Sequence, residues 1–337
     1  MKEIGFKSTK KAALSACAVV AAMVLMVVSA CGTPKKTETV TEDSAVTTNA
    51  PVTAITTAYA TLNVTTTVIP RIKAPIHRSA AVYCIDTKEM LYTDNIDAKT
   101  APASLTKLLT AATALKYVDP DKVFMVGSEQ YFVDPYSSLS GLYYGNELSM
   151  YDLITGMLMA SGNDAAYTVA VSTAREVSDE EYMEDDAAIE YFCKLMNDLA
   201  KEIGMENSHF TNPDGWDDEK QYTTADDLIK LAEYTLNIPQ IAEIVATQEI
   251  EVEIASGEPF YWVNSNLLLD QYSEYYCKFA TGMKTGTTLD AGNSLIGSFE
   301  KNGKKYITIA EGCETDEERY ELTLKLFKNV IDKQKNQ

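Results

Sequence analysis

Histidine is almost missing from this chain: His77 and His209 are the only two among 337 residues. Two histidines without an H-E-x-x-H pattern give no zinc helix, so no metal site is expected. They also leave little room for a Ser-His-Asp hydrolase. No G-x-S-x-G occurs, His77 ends a Thr-rich stretch, and His209 sits in "NSHFTNP", which reads as a structural loop. Paired cysteines are missing too. There are six cysteines and no C-x-x-C. Beyond the N-terminal leader, Cys84, Cys193, Cys277 and Cys313 are scattered, so their spacing demands neither disulfides nor metal. Export would permit disulfides, and buried free thiols are at least as well founded. Positive charge is scarce: 29 Lys and Arg face 49 Asp and Glu, a formal net charge of −20. That argues against a nucleic-acid partner and for a solvated acidic surface. No internal repeat is visible, so a stacked-repeat architecture is not expected.

What is present begins with a leader. Lys2, Lys7, Lys10 and Lys11 form a positive n-region, an apolar run follows from Ala12 to Val28, and "VSAC" ends at Cys31. The apolar run is short for a full membrane span. A competing "LSAC" ends at Cys17, but almost no apolar sequence precedes it. We therefore read residues 1–30 as an export signal. Residues 31–70 are rich in Thr, carry no helical stripe and read as a tether. Residues 71–337 remain for the folded domain, and 46% hydrophobic residues in the whole chain suffice for a sizeable core.

The texture changes near residue 78. "SAAVYCIDT" and "MLYTDN" read as a hairpin, and a long helical region follows to about residue 245. "SLIGSFE" and "KKYITIAE" flank Asn302-Gly303, a strong hairpin signal. A closing helix starts at Thr315, with Thr315 and Glu318 spaced as a capping box and an apolar stripe of Tyr320, Leu324, Phe327 and Ile331. Strands, helices, strands and a helix in that order suit a sheet built from both chain ends with a helical subdomain inserted between.

Three short motifs bear on chemistry. S-x-x-K occurs three times: Ser8 to Lys11 in the leader, Ser298 to Lys301 running into the Asn-Gly turn, and Ser104 to Lys107 at the start of a helix. In the last, Leu105, Leu108, Leu109, Ala112 and Leu115 form the buried stripe, and Ser104 and Lys107 share another face. A serine hydroxyl needs a base to act as a nucleophile. A lysine serves if burial or nearby positive charge lowers its pKa. The helix start also favours a developing oxyanion. The second motif, "ASGNDAA", puts Ser161 and Asn163 on a short connector between helices, which alone reads as a turn of cap residues. The third, "MKTGTT", puts Lys284 beside Thr285 and Thr287, a carboxylate-binding pattern. Gly286 would let another backbone approach an edge strand, so a peptide could bind by strand addition.

S-x-x-K, S-x-N and K-T-G in this order resemble the signature set of penicillin-binding proteins and class A β-lactamases. The chain is identified as resembling the D-alanyl-D-alanine carboxypeptidase family, the low-molecular-mass penicillin-binding proteins. "PASLTKLLTA", "GNELSMYDLITGMLMASGNDAA", "LAKEIGMENSHFTNPDGW", "YTTADDLIKLAEY" and "GMKTGTTLDAGNSLIGS" carry the likeness across roughly residues 78 to 335. The resemblance implies an α/β (α+β) transpeptidase-like fold, an antiparallel sheet flanked by helices with an all-helical insertion. It implies no cofactor. Ser104 would be the acylated nucleophile and Lys107 its base. Ser161 would relay a proton to the leaving group with Lys284 close by, and Asn163 would hold the substrate amide. Lys284, Thr285 and Thr287, with Gly286 between them, would bind the terminal carboxylate, and the N–H groups of Ser104 and Thr287 would form the oxyanion hole. The partners implied are peptidoglycan stem peptides ending in D-Ala-D-Ala and β-lactam antibiotics. Cys31 resembles the lipidated cysteine of bacterial lipoproteins, so the expected location is the outer face of the cytoplasmic membrane, lipid-anchored. A monomer is the default.

Two departures stand out. Many family members carry a C-terminal β-rich domain and an amphipathic anchor; here the sequence stops at the closing helix, and the N-terminal lipid is expected to anchor it. "VSDEEYMEDDAAIEY" adds an acidic stretch, expected as solvated surface, with substrate choice as the lesser alternative. The rivals are a serine β-lactamase, a DD-endopeptidase and a non-catalytic penicillin sensor. Glu233-Tyr234-Thr235-Leu236-Asn237 matches the β-lactamase E-x-x-L-N pattern, but it falls inside a helical run after "YTTADDL", where a deacylating loop is not expected.

Overall fold

The structure, a computed structural model, describes residues 78–180 and 182–335. The leader, Cys31, the Thr-rich tether, His77 and the Ser8–Lys11 motif lie outside the described residues.

Strands β1 (Ser79–Cys84) and β2 (Glu89–Asp94) form the first hairpin. A single 3-10 turn, Ala103–Leu105, leads into α1 (Thr106–Tyr117). Two short strands, β3 (Val123–Met125) and β4 (Glu147–Ser149), pair ahead of α2 (Met150–Met159) and α3 (Asn163–Val177). Helices α4 (Asp185–Glu202), α5 (Ala225–Leu236) and α6 (Pro239–Ala246) follow, then a ribbon of β5 (Glu249–Glu253) and β6 (Pro259–Val263). The chain returns through β7 (Ala280–Thr288), β8 (Gly292–Lys301) and β9 (Lys304–Cys313) and closes with α7 (Asp316–Lys335). The five-stranded sheet has the order β2-β1-β9-β8-β7, antiparallel throughout. Both chain ends therefore build one sheet, and the helices lie between them in sequence, as the order of elements implied.

Local chemistry accounts for the boundaries. Asn302 and Gly303 take φ of 55° and 72°, the paired positive values that a two-residue hairpin turn requires. Ser149 Oγ accepts the Asp152 N–H at 3.0 Å and starts α2, and Thr224 Oγ1 accepts the Asp227 N–H at 3.2 Å and starts α5. Thr315 Oγ1 accepts the Glu318 N–H at 3.2 Å, but the Glu318 carboxylate turns to the Glu314 N–H at 2.7 Å. The expected capping box is thus half reciprocal: its second bond falls one residue earlier.

Two expectations need correction. The long region read as helical contains the β3–β4 ribbon, whose three-residue strands are too short to carry a legible alternation. The β5–β6 ribbon was also not anticipated. Helix α1 differs from an amphipathic helix with one buried stripe: Thr106, Lys107, Thr110 and Thr113 are as fully buried as Leu105, Leu108 and Leu109. Surrounding helices and the sheet enclose it on every side from Thr106 to Ala114, with the last turn left open, and periodicity cannot report that. Cys84, Cys193, Cys277 and Cys313 are all free thiols.

Candidate active site

The turn Ala103–Leu105 is pressed between two other backbones. On one side, Gly286 of β7 packs tightly against it: a Cβ there would lie 3.1 Å from Ala103 Cβ and 3.2 Å from the Ser104 nitrogen. On the other, Gly215 has φ of 90°, and a Cβ there would lie 1.8 Å from the Ala103 carbonyl oxygen. The Gly215 contact and its positive φ exclude any residue but glycine, whereas a Cβ at Gly286 would need its neighbours to give by a few tenths of an ångström. Gly286 does admit a second backbone, as its sequence context suggested. That backbone is the chain's own Ser104 turn. Ala103 and Ser161 are non-glycine residues at positive φ, 48° and 59°. Such conformations persist only where surrounding structure imposes them, and they gather at functional sites.

Two serine–lysine pairs result. Lys107 Nζ donates to Ser104 Oγ at 2.8 Å and to the Asp214 carbonyl at 2.7 Å. Burial pulls Lys107 down to about 8, against the opposing charges of Asp214 and Asp164. Lys284 Nζ donates to Ser161 Oγ at 2.9 Å and to the Thr285 carbonyl at 3.1 Å. Burial, with the positive charges of Lys107 and Arg319, holds Lys284 well below its ordinary value. The pairs are therefore close enough to feel each other electrostatically. Lys107 and Lys284 are both essentially inaccessible to water.

Asn163 is the first residue of α3 rather than part of the connector before it. Its N–H donates to the Ser138 carbonyl at 2.8 Å, and its Nδ2 donates to Asp214 Oδ2 at 2.5 Å. Thr285 and Ser265 share a hydroxyl contact at 2.9 Å. Thr287 is exposed; its hydroxyl donates to Asn293 Oδ1 at 3.2 Å and accepts from Arg319 Nη1 at 3.0 Å.

Three residues absent from the sequence reading belong to this site. Arg319, on α7, reaches under β7 to Thr287 and to the Gly286 carbonyl at 3.4 Å, pairs with Asp316, and keeps a buried Nε without a hydrogen-bond partner. It supplies a cation beside Thr287, the residue that follows K-T-G. Asp164 accepts from the N–H groups of Ser140, Gly141 and Leu142 at 2.8, 2.8 and 2.9 Å, and so ties that segment to α3. Asp214 joins Lys107 to Asn163. Arg319 lies in a different helix and carries no motif, whereas Asp164 and Asp214 sit in the legible strings "SGND" and "NPDGW" and could have been flagged as charged groups beside the site.

The competing matches disperse. Ser298 Oγ pairs with Thr281 Oγ1 at 2.8 Å while Lys301 lies over the Phe279 ring, 3.6 Å from its centroid. On a strand, residues three apart point to opposite faces. Glu233 of α5 accepts from Tyr83 OH at 3.0 Å and pairs with Lys88 in the turn after β1, outside the two serine–lysine pairs. His209 is exposed and exchanges backbone hydrogen bonds with Tyr222. The acidic stretch is pinned where Arg175 donates to the Met183 carbonyl and to Asp185, with Tyr182 left exposed.

A serine with a buried lysine partner, a second serine–lysine pair and a lysine-threonine strand form an arrangement suited to acyl transfer on serine. The family model for D-alanyl-D-alanine carboxypeptidases matches residues 63–315, and the chain belongs to that family. Curated relatives include DacF of Bacillus subtilis, 30% identical over 254 residues and 72% of this chain, and DacC of Escherichia coli, 29% identical over 252 residues and 71% of it. The matched segments span 59% and 57% of those two relatives. Among solved structures, the Streptomyces K15 DD-transpeptidase superposes with a TM-score of 0.68, covering 77% of this chain and 99% of that one at 24% identity. The fold is that of the DD-peptidase penicillin-binding proteins.

Proposed function

We propose that this protein is a serine-type D-Ala-D-Ala carboxypeptidase that removes the last D-alanine from peptidoglycan stem peptides and is acylated by β-lactams. The observation that carries this reading is the pairing of Ser104 with a fully buried Lys107, at 2.8 Å, beside the pairing of Ser161 with a fully buried Lys284. Lys107 takes the Ser104 proton as Oγ bonds to the carbonyl carbon, and the N–H groups of Ser104 and Thr287 receive the oxyanion. The intermediate collapses with cleavage of the C–N bond. The leaving amine takes its proton through Ser161, which Lys284 holds. Asn163 binds the substrate amide, and Thr285, Thr287 and Lys284 bind the terminal carboxylate, with Arg319 reinforcing that charge. Water then cleaves the ester and restores Ser104. Glu233 is engaged by Tyr83 and Lys88, which favours the carboxypeptidase over the β-lactamase.

The remaining parts of the reading extend it outward. Residues 1–30 act as the signal, Cys31 carries the lipid, residues 31–70 form the tether, and a monomeric domain from residue 71 works at the outer face of the membrane. No helix among the described residues is long and apolar enough to cross a membrane.

The test is intact-protein mass after mixing the chain from Pro70 onward with benzylpenicillin, followed by D-alanine release from a D-Ala-D-Ala peptide. A lasting adduct that Ser104→Ala abolishes, with Lys107→Met slowing acylation on the order of 10³-fold, is expected. Rapid penicillin turnover with no adduct would replace this reading with a β-lactamase, and neither adduct nor turnover with a non-catalytic wall-binding module.

A further inference from the structure

We infer that Asp214 is a positioning residue of the acyl-transfer site: its backbone carbonyl and its carboxylate tie Lys107 and Asn163 into one unit, and its negative charge sets how readily Lys107 takes the Ser104 proton. The inference rests on the acyl-transfer reading above.

The loop that delivers Asp214 is held from several directions. Thr110 Oγ1 of α1 donates to the Pro213 carbonyl at 2.6 Å. Asn212 Oδ1 accepts the Gly215 N–H at 2.8 Å, and Asn212 Nδ2 donates to the Trp216 carbonyl at 2.9 Å. Gln221 accepts the Thr211 N–H at 2.9 Å and donates to the Trp216 carbonyl at 3.0 Å. Gly215 then presses on Ala103 itself. A surface turn needs no such scaffold. Here it fixes the Asp214 carbonyl 2.7 Å from Lys107 Nζ, and so aims the amine at Ser104.

The carboxylate is the second part. Asp214 is 2% exposed, and burying a charge is costly unless it is paired. Its partners are Asn163 Nδ2, the Trp216 N–H at 3.2 Å, and the charge of Lys107. The titratable groups facing it from neighbouring helices stay neutral. Burial, and then the Asp214 charge, push Cys193 of α4 up to about 12 and Tyr167 of α3 higher still. Lys107 in turn faces Asp164 from α3 and Lys284 from β7. Burial alone would strip Lys107 of its proton and leave a weak base. Asp214 opposes that, and keeps the amine basic enough to take a serine proton. Burial pushes the Asp214 carboxyl upward, while Lys107, Trp216 and Asn163 draw it back.

The test is the pH profile of single-turnover acylation by benzylpenicillin in the full chain, with Asp214→Asn as the variant. The amide keeps an oxygen for Asn163 and leaves the backbone carbonyl in place. The expected result is an acid limb moved to lower pH by about one pH unit or more. The plateau rate should fall on the order of tenfold as the base weakens. A variant whose rate falls while its limb coincides with the wild type would overturn the proposal and leave Asp214 a packing residue. A reciprocal measurement needs no activity. In Lys107→Met, the carboxyl infrared band that Asp214→Asn removes should titrate at higher pH than in the wild type, and an unmoved band overturns the coupling. A wild type that never acylates would sink the acyl-transfer reading instead, with the infrared arm still deciding the coupling.

Discussion

On one face of the five-stranded sheet, α7 lays Tyr320, Phe327, Val330 and Ile331 against Phe299, Tyr306 and Val82. Phe327 stacks on Phe299 with ring centroids 4.2 Å apart and meets Tyr306 edge-on at 5.9 Å. On the other face, α1 and its neighbours bury Lys107, Lys284, Asp164, Asp214 and Glu311 among Leu105, Leu108, Leu109, Ile307 and Ile309. Apolar area and aromatic geometry hold the first face together. On the second, several buried charged groups are acceptable only because each is paired or shifted toward neutrality. The difference separates two roles in one sheet. The α7 face supplies stability that does not depend on pH, and the α1 face gives up some of that stability to hold poised amines. Arg319 crosses between them: it is rooted in α7 and ends at Thr287.

Substitutions on the two faces should therefore differ in kind. Phe327→Ala should give the largest loss of stability, about 3 to 5 kcal/mol for a buried aromatic, read by denaturant unfolding. The folded fraction should acylate with an unmoved pH profile. A displaced profile would mean that the two faces are not separable. Glu311→Gln probes the opposite face. Burial raises Glu311 to about 7, with Thr100 Oγ1, at 2.7 Å, opposing. A carboxyl whose folded pKa exceeds its unfolded value near 4.3 binds more protons when folded between those values. Its contribution to stability is then fully present below the unfolded value and lost as pH rises toward about 7. Unfolding free energy should drop across that window by a few kcal/mol in the wild type and stay flatter in Glu311→Gln. An equal slope in both would place the pH sensitivity elsewhere. The smallest effect belongs to Glu233→Gln. Lys88 is largely exposed, so losing their ion pair should cost less than about 1 kcal/mol. Deacylation of the penicillin adduct should be unchanged, and slower deacylation would restore Glu233 to the chemistry.

Much of this was legible beforehand, for identifiable reasons. The Asn302-Gly303 turn, the Ser149 cap and the α7 stripe are local signals, written within a few residues of the structure they specify. The first motif was legible because one helical turn brings a serine and a lysine three residues apart together; Ser161 and Lys284, 123 residues apart, were legible only as separate strings. The β3–β4 ribbon was hidden because three-residue strands carry no readable alternation. Arg319 was hidden because its role is defined by β7, and Asp214, though it stands in a legible string, shows its role only through contacts with α1 and α3.

The sequence by itself therefore determined the main helices, the first and last hairpins, and which serine has a lysine within one helical turn. The tertiary structure alone decided that the first nine residues of α1 are enclosed on every side, that Lys107 and Lys284 lose their water together, and that Asp214 and Arg319 reach the site. The physical reason is range. Capping and periodicity act over a few residues, while desolvation and charge coupling depend on what the whole chain brings within a few ångströms.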